Sequence, residues 1–209
     1  MPLLEVCVDS IARLREAQSK GASRIELCSR LDLGGLSPGQ ALLAEALSLA
    51  RVPIHAMVRP REGDFAYSAA EFARMEREVE EAKGLGAAAV VLGILATDGR
   101  IDVTRTRALV LAARPMSVTF HRAFDEVADP AAALEELIEA GVDRLLTAGG
   151  KGSAFDGRRR IRDLLERARG RIVVMAGGGI RAGNVGEILV DSGVSEVHSS
   201  AIFPLRDVR

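Results

Sequence analysis

The chain has 209 residues, 48% of them hydrophobic, and its 28 basic and 29 acidic side chains leave a formal charge of -1. That length suits one large domain or two small ones with a substantial core, and the balanced charge offers no field to attract nucleic acid or an anionic membrane. Aromatics are 3%, with no Trp and a single Tyr, which excludes the stacking platforms that single-stranded nucleic acids need.

The chain does not open on a basic segment followed by an apolar run, and no stretch approaches the ~18 apolar residues of a spanning helix. Two cysteines are too few for a disulfide scaffold and are expected as free thiols in a reducing compartment. The expectation is a cytoplasmic protein with neither membrane nor nucleic acid as partner.

In chain order, the first expected strand covers residues 3–8, and a helix over residues 11–20 follows it, with Ser10 as cap and Gly21 as stop. Further strands are expected at 24–28, 54–59, 88–94, 117–121, 144–148, 172–176 and 196–199. Helical patterns such as 68–86, 129–141 and 181–193 lie between them, each with a cap-like residue in front and a glycine behind. Strict alternation of strand and helix implies parallel strands with right-handed crossovers. Eight such units over residues 1–209 fit one closed (β/α)8 TIM barrel, in the α/β class. An open doubly wound sheet competes, but it would show more strands like AAVVLGIL, apolar on both faces. After the eighth strand only about ten residues remain, so the eighth helix is expected short or absent and the last seam poorly covered.

Side chains alternate faces along a strand. With Leu4, Val6 and Val8 turned to the helices, Glu5, Cys7 and Asp9 face the lumen. The same rule turns Glu26, Cys28, His55, Met57, Arg59, Thr119, His121 and His198 inward. All three histidines and both cysteines therefore share a lumen that barrels normally fill with Val, Ile and Leu. Such polarity is costly unless paired, and it marks a site.

Several constellations follow, each with a quieter alternative. Cys7 and Cys28, helped by Met57 or Met175 or a histidine, suit a soft ion such as Cu(I) or Zn; alternatively, buried cysteines are small apolar filler. Glu5 and Glu26 form a carboxylate pair for proton transfer, or else ion pairs with Arg59 or Arg122. His121, at a strand's C-terminal end, is the leading general acid or base. The turns TAGGKG (147–152) and MAGGGI (175–180) can present backbone N–H groups to a phosphate or carboxylate, or be tight turns needing positive φ. Gly177, Gly178, Gly179, Ser199 and Ser200 fall after the seventh and eighth strands, where many barrels hold phosphate. Arg59 and Arg61 suit an acidic substrate, or pair with Asp64 and the barrel glutamates. The arginine-rich DGRRRIRDLLERARGR reads as a solvated helix face, because Asp163 and Glu166 intersperse its charges.

The succession EVCVDS, RIELCSRLDLGGLSP, IHAMVRPREGDFAYS, VTFHRAFD, LLTAGG, MAGGGI and EVHSSA resembles the CutC family, whose members are called copper homeostasis proteins. The likeness runs in order over nearly the whole chain. It implies a (β/α)8 barrel, a cytoplasmic location, a homo-oligomer (a dimer first) and a copper-binding role. The matching positions are Glu5, Cys7, Asp9, Glu26, Cys28, Arg59, Arg61, His121, Arg122, Asp125, His198, Ser199 and Ser200. Members of that family continue beyond the HSSA motif, so the last seam is where this chain is expected to differ.

Two functions compete at this point. One is copper homeostasis, with Cu(I) held by Cys7 and Cys28. The other is a metal-independent barrel enzyme in which His121, Glu5 and Glu26 move protons on a small anionic substrate. Arg59, Arg61, Arg122, Gly177, Gly178, Gly179, His198, Ser199 and Ser200 would then grip its phosphate or carboxylate.

Overall fold

The computed structural model describes residues 2–205. Eight strands form in it: β1 (Leu3–Val8), β2 (Arg24–Leu27), β3 (Ile54–Met57), β4 (Ala89–Leu92), β5 (Ser117–Phe120), β6 (Arg144–Thr147), β7 (Val173–Gly177) and β8 (Glu196–Ser199). They pair in parallel, in chain order, and β8 closes on β1 to complete a barrel. The helices α1 (Ile11–Ser19), α2 (Gln40–Leu49), α3 (Ala69–Leu85), α4 (Val103–Ala113), α5 (Pro130–Ala140), α6 (Ala154–Ala168) and α7 (Val185–Ser192) follow the first seven strands. Among the described residues no helix follows β8. The expected (β/α)8 barrel is therefore what forms.

Local chemistry sets the helix limits. Ser68 and Glu71 make a reciprocal capping box at the start of α3, and Asp129 accepts from the Ala131 and Ala132 amides ahead of Pro130 in α5. Gly86, Gly141 and Gly193 end α3, α5 and α7 in the left-handed conformation. Leu4, Val6, Val8, Ile25, Leu27, Ile54 and Ala56 point away from the lumen into one continuous core shared with the helices. Cys7, Cys28, Met57 and Val91 form a separate small cluster inside the ring. The alternation rule thus sorts the two faces correctly.

Several strands end sooner than the residue pattern suggests. Cys28 lies one residue, and Arg59 two, past the last residue of β2 and β3, and His121 just past β5. Ladder pairing stops where each chain departs into its loop, which moves these side chains to the C-terminal mouth. Asp9 has left β1 altogether and lies at the rim, with Arg13 Nε 4.0 Å away.

Candidate functional site

The floor of the lumen is ionic. Arg24 Nε donates to Glu5 Oε2 at 2.6 Å, and its Nη2 donates to Glu196 Oε2 at 2.7 Å. Arg144 Nε reaches the same Glu196 oxygen at 2.7 Å. Arg24, Arg144 and Glu196 are the first residues of β2, β6 and β8. Arg24 continues the inward register of Glu26 back by two residues, at the first position of β2, where the sequence pattern marks only Glu26 and Cys28 as inward. The partner of Glu5 is thus Arg24, not Arg59 or Arg122. Arg59 instead donates to the carbonyls of Leu33, Gly35 and Gly63, and Arg122 Nε donates to Asp125 at 2.8 Å.

Glu5 is completely buried, and three cationic or imidazole groups converge on it. His198 Nδ1 meets its Oε1 at 2.8 Å, and His55 Nδ1 approaches its Oε2 at 3.3 Å. Burial alone would raise this carboxyl, but His198, His55 and Arg24 together hold it well below the usual carboxylate range. Burial lowers His55. In His198 the pull of burial is outweighed by the charges of Glu26 and Glu5, and its pKa rises. Glu5 does not line the cavity; it orients His198, whose Nε2 is left pointing toward Glu26 Oε1, 4.0 Å away.

Above this floor opens a cavity of about 270 Å³. Cys7, Glu26, His121, Arg122, Gly178 and Gly179 are among its lining, as are Arg59, His198, Ser199 and Ser200. Among the predicted residues, Glu5, Cys28, Arg61 and Gly177 do not line it. Arg61 pairs with Asp64 and Glu71 on the outer loop, and Gly177 sits in the ladder where a side chain would overlap Leu146 and crowd His198. Ser199 is largely committed: its hydroxyl donates to the Ile180 carbonyl at 2.8 Å and accepts from the Ala201 amide.

Cys7 Sγ and Cys28 Sγ are 3.5 Å apart. Cys7 borders the cavity, while Cys28 lies behind it, wholly buried against Gly35. A side chain at Gly35 would stand 3.3 Å from the Cys28 sulfur, so the glycine gives the thiol its space. Cys7, Glu26 and His198 each offer a ligand atom within 4.8 Å of the others. The hydrogen bond with Cys28, burial and the nearby Glu26 push the Cys7 thiol well up. Met57 packs with the two cysteines, whereas Met175 Sδ faces Arg24 Nη2 at 3.2 Å. Of the two methionines considered from sequence, Met57 is the one beside the thiols.

A model of the CutC family matches residues 2–203. The chain belongs to the CutC family. Over 199 residues it is 47% identical to a CutC family protein of Chromobacterium violaceum, covering 95% of this chain and 81% of that one. It is also 47% identical over 199 residues to the human copper homeostasis protein cutC homolog, covering 95% of this chain and 73% of that one. A crystal structure of a CutC protein from Streptococcus agalactiae superposes with a TM-score of 0.91 at 32% identity, covering 97% of this chain and 100% of that one. An aldolase at 16% identity, TM-score 0.72, shares the barrel alone.

Two turns of the family barrel that look alike in sequence differ in use. In the turn after β6, the Ala148 and Gly150 amides donate to the Asp125 carboxylate at 3.0 and 3.1 Å, and Thr147 Oγ1 donates to it at 2.5 Å. That turn already holds an anion of its own. Among the described residues, the Gly178 and Gly179 amides of the turn after β7 meet no protein acceptor.

Proposed function

We propose that this CutC family member handles copper by holding Cu(I) between Cys7 and Cys28 at the base of the cavity. The 3.5 Å separation of the two sulfurs carries the proposal. Two thiolates on one ion at ~2.3 Å each are about 3.8 Å apart in a tetrahedral arrangement, so a small widening of this pair admits a metal. Sulfur donors with an imidazole nitrogen suit a soft monovalent ion. His198 adds an arrangement that metal-binding imidazoles favour, with Nδ1 held by the buried Glu5 carboxylate and a ligand nitrogen within 4.8 Å of a Cys7 and a Glu26 ligand atom. Cys28 supports one end from within the wall, and Cys7 meets the ion as it enters from the mouth.

Because Cys7 is held protonated, loading releases protons and tightens as the pH rises. The cytoplasm keeps both thiols reduced, which is the state the site requires. A homodimer completes the proposal on the strength of the family resemblance; light scattering on the purified chain measures it.

The test is an anaerobic competition between reduced protein and a chromophoric Cu(I) chelator of known affinity, run beside Cys7→Ser and Cys28→Ser. The expected result is one ion per wild-type chain and a loss of at least about tenfold in affinity for each variant. Equal competition by all three proteins would remove the cysteines from the site.

A further inference from the structure

The unfilled turn after β7 and the residue pair His121–Arg122 lie on the same cavity. We propose that they form a second subsite, for a small oxyanion, carboxylate or phosphate, that carries a carbonyl or hydroxyl oxygen near its charge.

The anion half rests on a comparison within the molecule. The register pairs Thr147 with Ala176, so Gly149 and Gly150 correspond to Gly178 and Gly179. Both pairs adopt positive φ, 73° and 67° in the first and 110° and 70° in the second. Successive glycines of this kind turn their amides toward one concave side, where an anion sits. In the first turn that anion is Asp125, which accepts from the Ala148 and Gly150 amides, while the Gly149 amide donates to Thr147 Oγ1. In the second, among the described residues, the amides of Gly178, Gly179 and Ser200 meet no protein acceptor, and all three residues border the cavity.

Arg122 supplies the charge. A Cβ built on Gly178 would stand 3.2 Å from its Cζ and Nη1, so the guanidinium lies directly against the turn because that residue is glycine. Asp125 holds its Nε, and neither Nη has a protein acceptor among the described residues. A planar donor pair is thus presented beside the three amides.

The second half is His121. Its Nδ1 accepts from the Ala123 amide at 3.1 Å, which leaves the proton of a neutral ring on Nε2. Nε2 is buried without a partner, although the residue borders the cavity and is only 5% exposed. Gly93 makes room for the ring, since a side chain there would overlap it. Burial, with the Arg59 charge nearby, lowers this imidazole to about 3, so it is neutral across the physiological range. A neutral, unpartnered N–H donor on a residue that borders a cavity suits an uncharged carbonyl or hydroxyl oxygen, not the anion itself. Its sequence neighbour Arg122 receives the anion.

The test is calorimetric titration of metal-free, reduced protein, so its outcome is independent of copper binding. The probes are inorganic phosphate, ethyl phosphate, glycolaldehyde phosphate, propionate and pyruvate. Saturable binding of the phosphates or the carboxylates identifies the charged head, and Arg122→Ala is expected to weaken it about tenfold or more. Arg159→Ala removes the same charge from the exposed face of α6 and is expected to bind like wild type. Within each series the carbonyl-bearing probe is expected to bind about fivefold tighter than its saturated partner, a difference that His121→Phe erases. Nitrogen-15 spectra of wild type provide a readout that needs no variant: the His121 Nε2 resonance is expected to move with glycolaldehyde phosphate or pyruvate and not with ethyl phosphate or propionate. Absence of saturation with every probe, or equal weakening by Arg159→Ala and Arg122→Ala, overturns the subsite.

Discussion

His121 is a buried base whose surroundings offer hydrogen-bond geometry to only one of its tautomers. The unfolded chain takes up a proton on it below about pH 6.5, whereas the folded chain resists until about 3. The stability that follows is complete above pH 6.5 and is lost as the pH falls from there toward 3, by at most ~1.4 kcal/mol per unit. His121→Gln has no ring to titrate, so its urea midpoint is predicted to fall less steeply than that of wild type between pH ~6.5 and ~4.5. Parallel profiles for the two proteins would show that this imidazole is not kept neutral by the fold. Glu5 illustrates the opposite outcome of burial: three nearby donors keep it charged, and its work is to orient His198.

The instructive elements are the turns that close the sixth and seventh units. Both place two glycines in the left-handed region. One satisfies its glycine amides within its own chain, Gly150 on the Asp125 carboxylate and Gly149 on the Thr147 hydroxyl, and among the described residues the other leaves them without a protein acceptor beside the cavity. Asp125 accepts from Thr147, Ala148, Gly150 and Arg122 at once. Asp125→Asn keeps the shape but replaces one acceptor oxygen with a donor pointed at donors, for a predicted loss of about 1–3 kcal/mol in denaturant unfolding. A change within measurement error would mean that the turn holds itself without the carboxylate. Neither glycine motif reveals this difference in sequence, because the anion comes from a residue more than twenty positions earlier.

At the scale of the whole molecule, the barrel was legible because strand and helix alternate without interruption and each strand carries one apolar register. The same period of two places Cys7, Cys28, Glu26, His55, Met57 and His198 in the lumen from the sequence alone. What stayed hidden was partnership across strands. Whether Glu5 meets Arg24 or Arg59 depends on the stagger between neighbouring strands, and the β1–β2 register sets Glu5 directly opposite Arg24. The proximity of Cys7 to Cys28 is of that kind too: they belong to neighbouring strands, but only the offset between them brings the sulfurs together. The result is a lumen divided by depth, with ion pairs at the floor, thiols and an imidazole above them, and anion donors at the mouth.

X-ray absorption at the copper edge of the Cu(I)-loaded chain reads whether the two thiols share one ion. Two sulfur neighbours and one lighter neighbour from His198 are predicted, with one sulfur lost in Cys28→Ser. A first shell of nitrogen and oxygen alone, or one unchanged by that substitution, would contradict it.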